Sequence, residues 1–179
     1  QPLHLHAETA WRMMTRRDPW VNVLRTTTAV FSAAVAGADA ISVLPHTQAL
    51  GLPDQEAQRL ARNTQLVLME ESNLAKVDDP AAGSGAFEEI GAALTQKAWA
   101  LMQEIEGDGG IAATLASGRL REAVAQVRAQ RLKNIGRRRE QITGTNEFPN
   151  IHEASAHVLM PLSADAASGD LAADTLAPI

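Results

Sequence analysis

The chain begins with a short alternation, Leu3-His4-Leu5-His6-Ala7-Glu8, in which apolar and polar positions trade places with the period of a strand. Asp18-Pro19 then opens a helix, because Asp is a natural N-cap and Pro is tolerated at the first helical position. The spacing predicts that helix over 20–35, with Trp20, Leu24, Thr27/Thr28, Phe31 and Val35 on one face and Gly37 as its stop. The run Ala40-Ile41-Ser42-Val43-Leu44 before Pro45 is continuous and apolar, as a buried strand requires. Residues 3–44 therefore read as one β-α-β unit.

Asp54 caps a second helix after Pro53, with Ala57, Leu60, Ala61, Thr64, Val67 and Leu68 turned inward and an end near Glu71. Residues 78–85 are a loop by composition. Phe87, Ile90, Leu94, Ala98, Leu101 and Ile105 recur at spacings of three and four, a strong amphipathic helix that Gly107-Asp108-Gly109-Gly110 ends. A short helix from Ile111 and a longer basic one over 117–138 follow. From Pro149 the pattern fades, and 163–179 reads as a mobile tail. Two parallel strands cannot bury both faces of a sheet. Either another chain completes it or its first part lies elsewhere.

Length sharpens this picture. The 179 residues suit one domain, whereas a complete (β/α)₈ barrel takes about 250. Aromatics make up 3% and cysteine is absent, so the core is aliphatic, and disulfides, thiolate metal sites and a cysteine nucleophile are excluded. No apolar run approaches the length needed to cross a bilayer. The chain starts with Gln and carries no signal-peptide pattern, which is expected of a fragment or processed product.

Charge is uneven. The net charge is −5, yet half of the 16 basic residues fall in one segment, from Arg119 through Arg121, Arg128, Arg131 and Lys133 to Arg137, Arg138 and Arg139. An acidic stretch follows. Such a run is a solvated helix face or a docking surface for a partner chain. Nucleic acid is the poorer partner, because the chain is acidic overall and no aromatics interleave with the arginines.

Candidate chemistry is sparse. His4, His6 and Glu8 share one side of the first strand, a two-imidazole arrangement that could hold a metal or be ordinary strand polarity. His46 and Gln48 follow the second strand, where loops of parallel α/β folds carry function. Gly83-Ser84-Gly85 precedes a helix, but Glu88 and Glu89 in its first turn would repel an anion. Walker, dinucleotide, nucleophile-elbow and zinc patterns are missing.

Five collinear stretches carry a resemblance. Asp18-Pro19-Trp20-Val21-Asn22-Val23-Leu24-Arg25-Thr26-Thr27 resembles the DPWVNxLRTT segment of the methylmalonyl-CoA mutase family. Gly51-Leu52-Pro53-Asp54, then Leu60-Ala61-Arg62-Asn63-Thr64-Gln65 through Glu70-Glu71-Ser72, resembles its LP…RIARNTQ…EES helix. Asp79-Pro80 with Gly83-Ser84, Lys97-Ala98-Trp99 with Glu104-Ile105-Glu106 and Gly109-Gly110, and Glu147-Phe148-Pro149-Asn150 match its later segments.

That resemblance implies an α/β, mostly helical fold: the last two β/α units of a coenzyme-A-dependent TIM (β/α)₈ barrel with a helical extension, an incomplete barrel. It implies a partial barrel domain over 1–150 and a linker or tail over 151–179. Members isomerise methylmalonyl-CoA and succinyl-CoA through radicals with adenosylcobalamin, which supplies the hard chemistry.

The departures matter as much. Where catalytic chains resemble GHTQSLHTN on the last barrel strand, this chain has Gly37-Ala38-Asp39-Ala40-Ile41-Ser42-Val43-Leu44-Pro45. His46-Thr47-Gln48 lies out of register with that motif and does not inherit its role. The preceding HTQTSG segment appears as His6-Ala7-Glu8-Thr9-Ala10, and the cobalamin-binding DxHxxG motif is absent.

The expectation is therefore the non-catalytic small subunit, cytoplasmic, inactive alone and binding no adenosylcobalamin by itself. Its partner would be the catalytic large subunit or a second copy, with no nucleic acid and no membrane. No catalytic, cofactor or metal residue is carried over; His46, Gln48 and Glu70 remain as substrate-facing candidates. The alternatives are a fragment of an active acyl-CoA mutase of other preference and a free-standing helical interaction module.

Overall fold

The computed structural model describes residues 3–162; the tail expected at 163–179 lies outside the described residues. The described residues are mostly helical with four short strands, an α/β arrangement in two compact units. Among the described residues, one unit contains 3–80 and 135–162, the other 81–134.

In the first unit, β1 (His6–Glu8) and β2 (Ala40–Ser42) pair in parallel, with Ala7 opposite Ile41. They are joined through α1 (Val21–Val35), so the β-α-β unit predicted for 3–44 is present. Both strands are shorter than expected, and β2, predicted as buried, is exposed at Ala40 and half-buried at Ile41 and Ser42. Pairing extends past their ends through the Asp39 N–H to the Leu5 carbonyl at 2.9 Å and the Thr9 N–H to the Ser42 carbonyl at 3.1 Å.

Helix α1 starts at Val21, and the predicted Asp18 cap does not form. Asp18 instead takes a left-handed backbone (φ 44°), and its carbonyl receives the Val21 N–H at 3.0 Å. The face of α1 that enters the core is Asn22, Thr26 and Val30, while Trp20, Leu24 and Phe31 are exposed. Threonine is tolerated on the buried face because the Thr26 hydroxyl bonds back to the Asn22 carbonyl at 3.0 Å.

The second predicted cap does form. Asp54 Oδ1 accepts the Ala57 N–H at 2.9 Å at the start of α2 (Gln55–Leu66). Helix α2 continues as a π-helical turn, Val67–Glu71. The wider turn rotates the register, so Leu68 is buried as expected but Val67 is exposed. Two-residue strands β3 (Gly51–Leu52) and β4 (Met160–Pro161) form an antiparallel pair that the pattern did not reveal. Gly51 is required there, since a Cβ would collide with the Met160 carbonyl oxygen and lie 2.8 Å from Pro161 Cα. The core of this unit includes Met14, Val30, Ala49, Ala57, Leu68 and Ile142.

The second unit holds α3 (Gly85–Gly107), α4 (Gly110–Ala116) and most of α5 (Arg119–Gly136), each near its predicted bounds. Gly109 and Gly110, at φ 97° and 86°, make the tight break between α3 and α4. Arg119 at the start of α5 pairs with Glu104 and Asp108 at the end of α3. Among the described residues of 81–134, Thr114 alone is fully buried. The α3 stripe is helical as predicted but open: Phe87, Ile90, Leu94 and Leu101 each expose 56–62% of their surface.

Candidate functional site

The densest polar arrangement lies in the first unit, and Asn22 is its centre. Asn22 is fully buried, so each of its amide bonds must be met by protein. Its Oδ1 accepts the Thr15 N–H at 2.9 Å and the Arg25 Nη1–H at 2.8 Å. Its Nδ2 donates to the Thr15 carbonyl and to the His46 carbonyl, both at 2.9 Å. All four hydrogen-bonding positions are used, which fixes the amide orientation. One side chain thus ties the loop after β1 to the loop after β2.

Arg25 extends the network. Its position three residues after Asn22 places it on the same helix face. Nη1 also donates to Thr15 Oγ1 at 2.8 Å, and Nη2 donates to the Thr143 carbonyl at 2.6 Å. Every acceptor is a neutral oxygen. Burial pushes Arg25 below its ordinary value, while nearby Asp18 opposes the shift. A guanidinium keeps its proton regardless, so the fork serves as a permanent clamp.

The clamp grips a turn 118 residues away in sequence. Asn146 knots that turn: its Oδ1 accepts the Ile142 N–H at 2.7 Å, and its Nδ2 donates to the Glu140 and Ile135 carbonyls. Gly144 (φ 80°) completes it, because a Cβ there would lie 2.8 Å from Asp18 Cβ. The Asp18 segment and the Thr143-to-Asn150 segment, distant in sequence, are therefore adjacent in space.

His46 sits at this junction. It is buried, and its ring stacks on Trp20 with centroids 4.5 Å apart. Burial lowers its pKa from 6.5, with the Asp54 and Glu56 charges opposing. Its Nδ1 and the neighbouring Thr47 Oγ1 are buried polar atoms without a hydrogen-bond partner among the described residues, as is Thr145 Oγ1.

The other candidates are dispersed. Gln48 is half-buried in the turn that its own N–H closes to the Pro45 carbonyl. Glu70 is exposed on the π-helical turn. His6 is bonded across the sheet, Nε2 to Ser42 Oγ at 2.8 Å, while His4 and Glu8 are exposed. No group of three metal-ligating side chains is found among the described residues. A groove of about 690 Å³ borders Gln55, Glu56, Gln58, Arg59 and Arg62 on α2.

Sequence reasoning missed Asn22, Arg25 and Thr15 as a network, although Asn22 and Arg25 lie inside the first matching segment. Their spacing of three was the available signal, since two polar residues on one face of a helix between strands must find partners.

Two comparisons bear on this site. The profile of the methylmalonyl-CoA mutase family matches residues 1–172, and the chain belongs to that family. Its relatives include the methylmalonyl-CoA mutase small subunit of Streptomyces virginiae, 52% identical over 148 residues, which are 83% of this chain and 24% of the relative. The small subunit of Propionibacterium freudenreichii subsp. shermanii is 44% identical over 147 residues, 82% of this chain and 23% of the relative. The methylmalonyl-CoA mutase of Cereibacter sphaeroides is 35% identical over 157 residues, 88% of this chain and 22% of the relative. The chain thus spans about a quarter of the length of the curated relatives it matches.

The imidazole at the strand end, His46, is buried and stacked on Trp20, so its ring packs inside the protein.

Proposed function

We propose that this chain is the C-terminal part of the barrel domain of a non-catalytic mutase small subunit. In this reading β1 and β2 are the last two strands of a (β/α)₈ barrel, residues 1–150 belong to the barrel domain with its helical extension, and 151–179 lead out of it. The observation that carries it is the end of β2. Barrel enzymes place their reactive groups at that end of the strand, and here Val43, Leu44 and Pro45 lead into a His46 whose carbonyl is held by Asn22. The position is used for packing. Similarity to chains named small subunits supports the same reading.

The partner is then the catalytic large subunit in a heterodimer. Adenosylcobalamin and the acyl-CoA substrate are held there, and the interconversion of methylmalonyl-CoA and succinyl-CoA proceeds there. In this reading the complex works in the cytoplasm; no helix among the described residues is long and apolar enough to cross a membrane. His46, Gln48 and Glu70 are the positions of this chain to test against substrate.

The test is co-expression with a catalytic large subunit. The expected result is a stable stoichiometric complex that purifies together and is lost when Leu94 and Leu101 on α3 are both changed to Asp. Failure of the wild-type chain to co-purify overturns the proposal.

A second reading, a free-standing helical interaction module, is favoured by the open α3 stripe and by the shallow apolar groove along Thr95, Ala98, Trp99 and Met102. It predicts a monodisperse, folded monomer.

A further inference from the structure

The segment 150–162 of the first unit follows a specific path. It starts beside α1, where Glu153 Oε1 accepts the Asp18 N–H at 2.8 Å. It next passes the start of α2, where His157 Nδ1 lies 3.1 Å from Asp54 Oδ2. It then joins β3, with the Leu159 N–H donating to the Leu52 carbonyl at 2.9 Å and the Leu162 N–H to the Leu50 carbonyl at 3.0 Å. Asp18 belongs to the loop after β1, and Leu50 to Asp54 to the loop after β2. One stretch therefore crosses both loops at the C-terminal ends of the parallel strands, the end at which α/β folds bind ligands.

The attachments differ in strength. The β3–β4 ladder is two residues long, and the residues on either side of the segment's middle are largely exposed. Such a short ladder is weak by itself. The side-chain pins at Asp18 and Asp54 hold the rest. An imidazole is the side chain whose charge changes between pH 5 and 8. The His157–Asp54 contact is thus an ion pair only when the imidazole is protonated.

We propose that residues 150–162 form a releasable strap across the loop end of the β1–α1–β2 unit, latched by His157 on Asp54. Asp54 stays ionised across the window, because the Ala57 N–H and then the His157 ring hold its carboxyl below the usual range. Among the described residues, the other ionisable groups around the latch are His46, which faces the Asp54 charge from the loop after β2, and Glu56 in the first turn of α2. Glu153 acts at the far pin on Asp18. Protonation of the imidazole turns the contact into an ion pair and tightens the strap. The inference rests on the geometry of this unit and stands apart from any reading of the mutase partner.

Amide hydrogen exchange of the full chain, followed by NMR at pH 6 and pH 8 and corrected for intrinsic rates, tests it. Surface ion pairs of up to about 1 kcal/mol correspond to a slowing of roughly two- to fivefold for the Leu159 and Leu162 amides at the lower pH. In His157→Gln that pH dependence disappears, while the mid-helix amides of α2 keep theirs. Equal pH dependence in the wild type and His157→Gln would overturn the proposal, because His46 or Glu153 would then account for it. So would strap amides that exchange alike at both pH values.

Discussion

Helices α1 and α3 invert the usual arrangement in opposite ways. Helix α1 buries Asn22 and Thr26 and exposes Trp20, Leu24 and Phe31. Helix α3 buries none of its 23 residues and exposes a continuous apolar stripe. The first helix is held by a polar network in which each Asn22 amide position is used, and the second by its own backbone and contacts with α4. Periodicity identifies a helix and its apolar face, but whether that face is covered is a separate matter. A contiguous exposed patch of this kind marks an interaction surface.

The contrast can be broken at the buried end first. Asn22→Ala strands the Thr15 N–H and two carbonyl groups in the interior, and leaving buried groups unpaired costs about 3 kcal/mol. Urea unfolding of the whole chain, read by tryptophan fluorescence, is expected to show that loss. A change below about 0.5 kcal/mol would mean that the network is not holding the loops together.

Arg25→Ala is next. It removes three hydrogen bonds, including the clamp on Thr143. The expected cost is about 2 kcal/mol, with Arg25→Lys recovering only part of it because an ammonium lacks the planar fork. Faster amide exchange in the turn at 142–147 should accompany both variants.

His46 gives a smaller, pH-dependent effect. Burial holds the folded imidazole below its unfolded value of 6.5. As pH falls through that value the unfolded chain takes up the proton first, so stability is full above it and declines below it until the folded ring is protonated. His46→Gln should flatten the decline between pH 6.5 and 5 in denaturant titrations. An unchanged slope would show that the ring titrates alike in both states.

The smallest effect belongs to α3. Leu94→Ala removes an exposed side chain, and the expected change in the stability of this chain is under about 0.5 kcal/mol, against the 2–5 kcal/mol of a core leucine. A core-sized loss would mean that the stripe is already covered in solution.

Much of the architecture was legible. The bounds of α1, α3, α4 and α5 followed from spacing and from Gly stops, and the β-α-β unit from alternation followed by an apolar run. Strands β3 and β4 were not, because two residues have no period and Gly51 pairs with Pro161, far away in sequence. Asp18 has the residue type of a cap, but a left-handed backbone and the close approach of Gly144 keep it from that role. For the candidate site, His46 was placed at the strand end from sequence. Its burial was not visible, because it depends on Trp20 and on Asn22, which binds from a helix 24 residues earlier.

Equilibrium binding of adenosylcobalamin and succinyl-CoA to the purified chain tests the central claim most directly. A chain that packs its strand ends with Pro45 and a buried His46 should bind neither ligand at micromolar concentrations. Micromolar binding of either one, lost on substitution of His46, Gln48 or Glu70, would contradict the account and make this chain part of an active site.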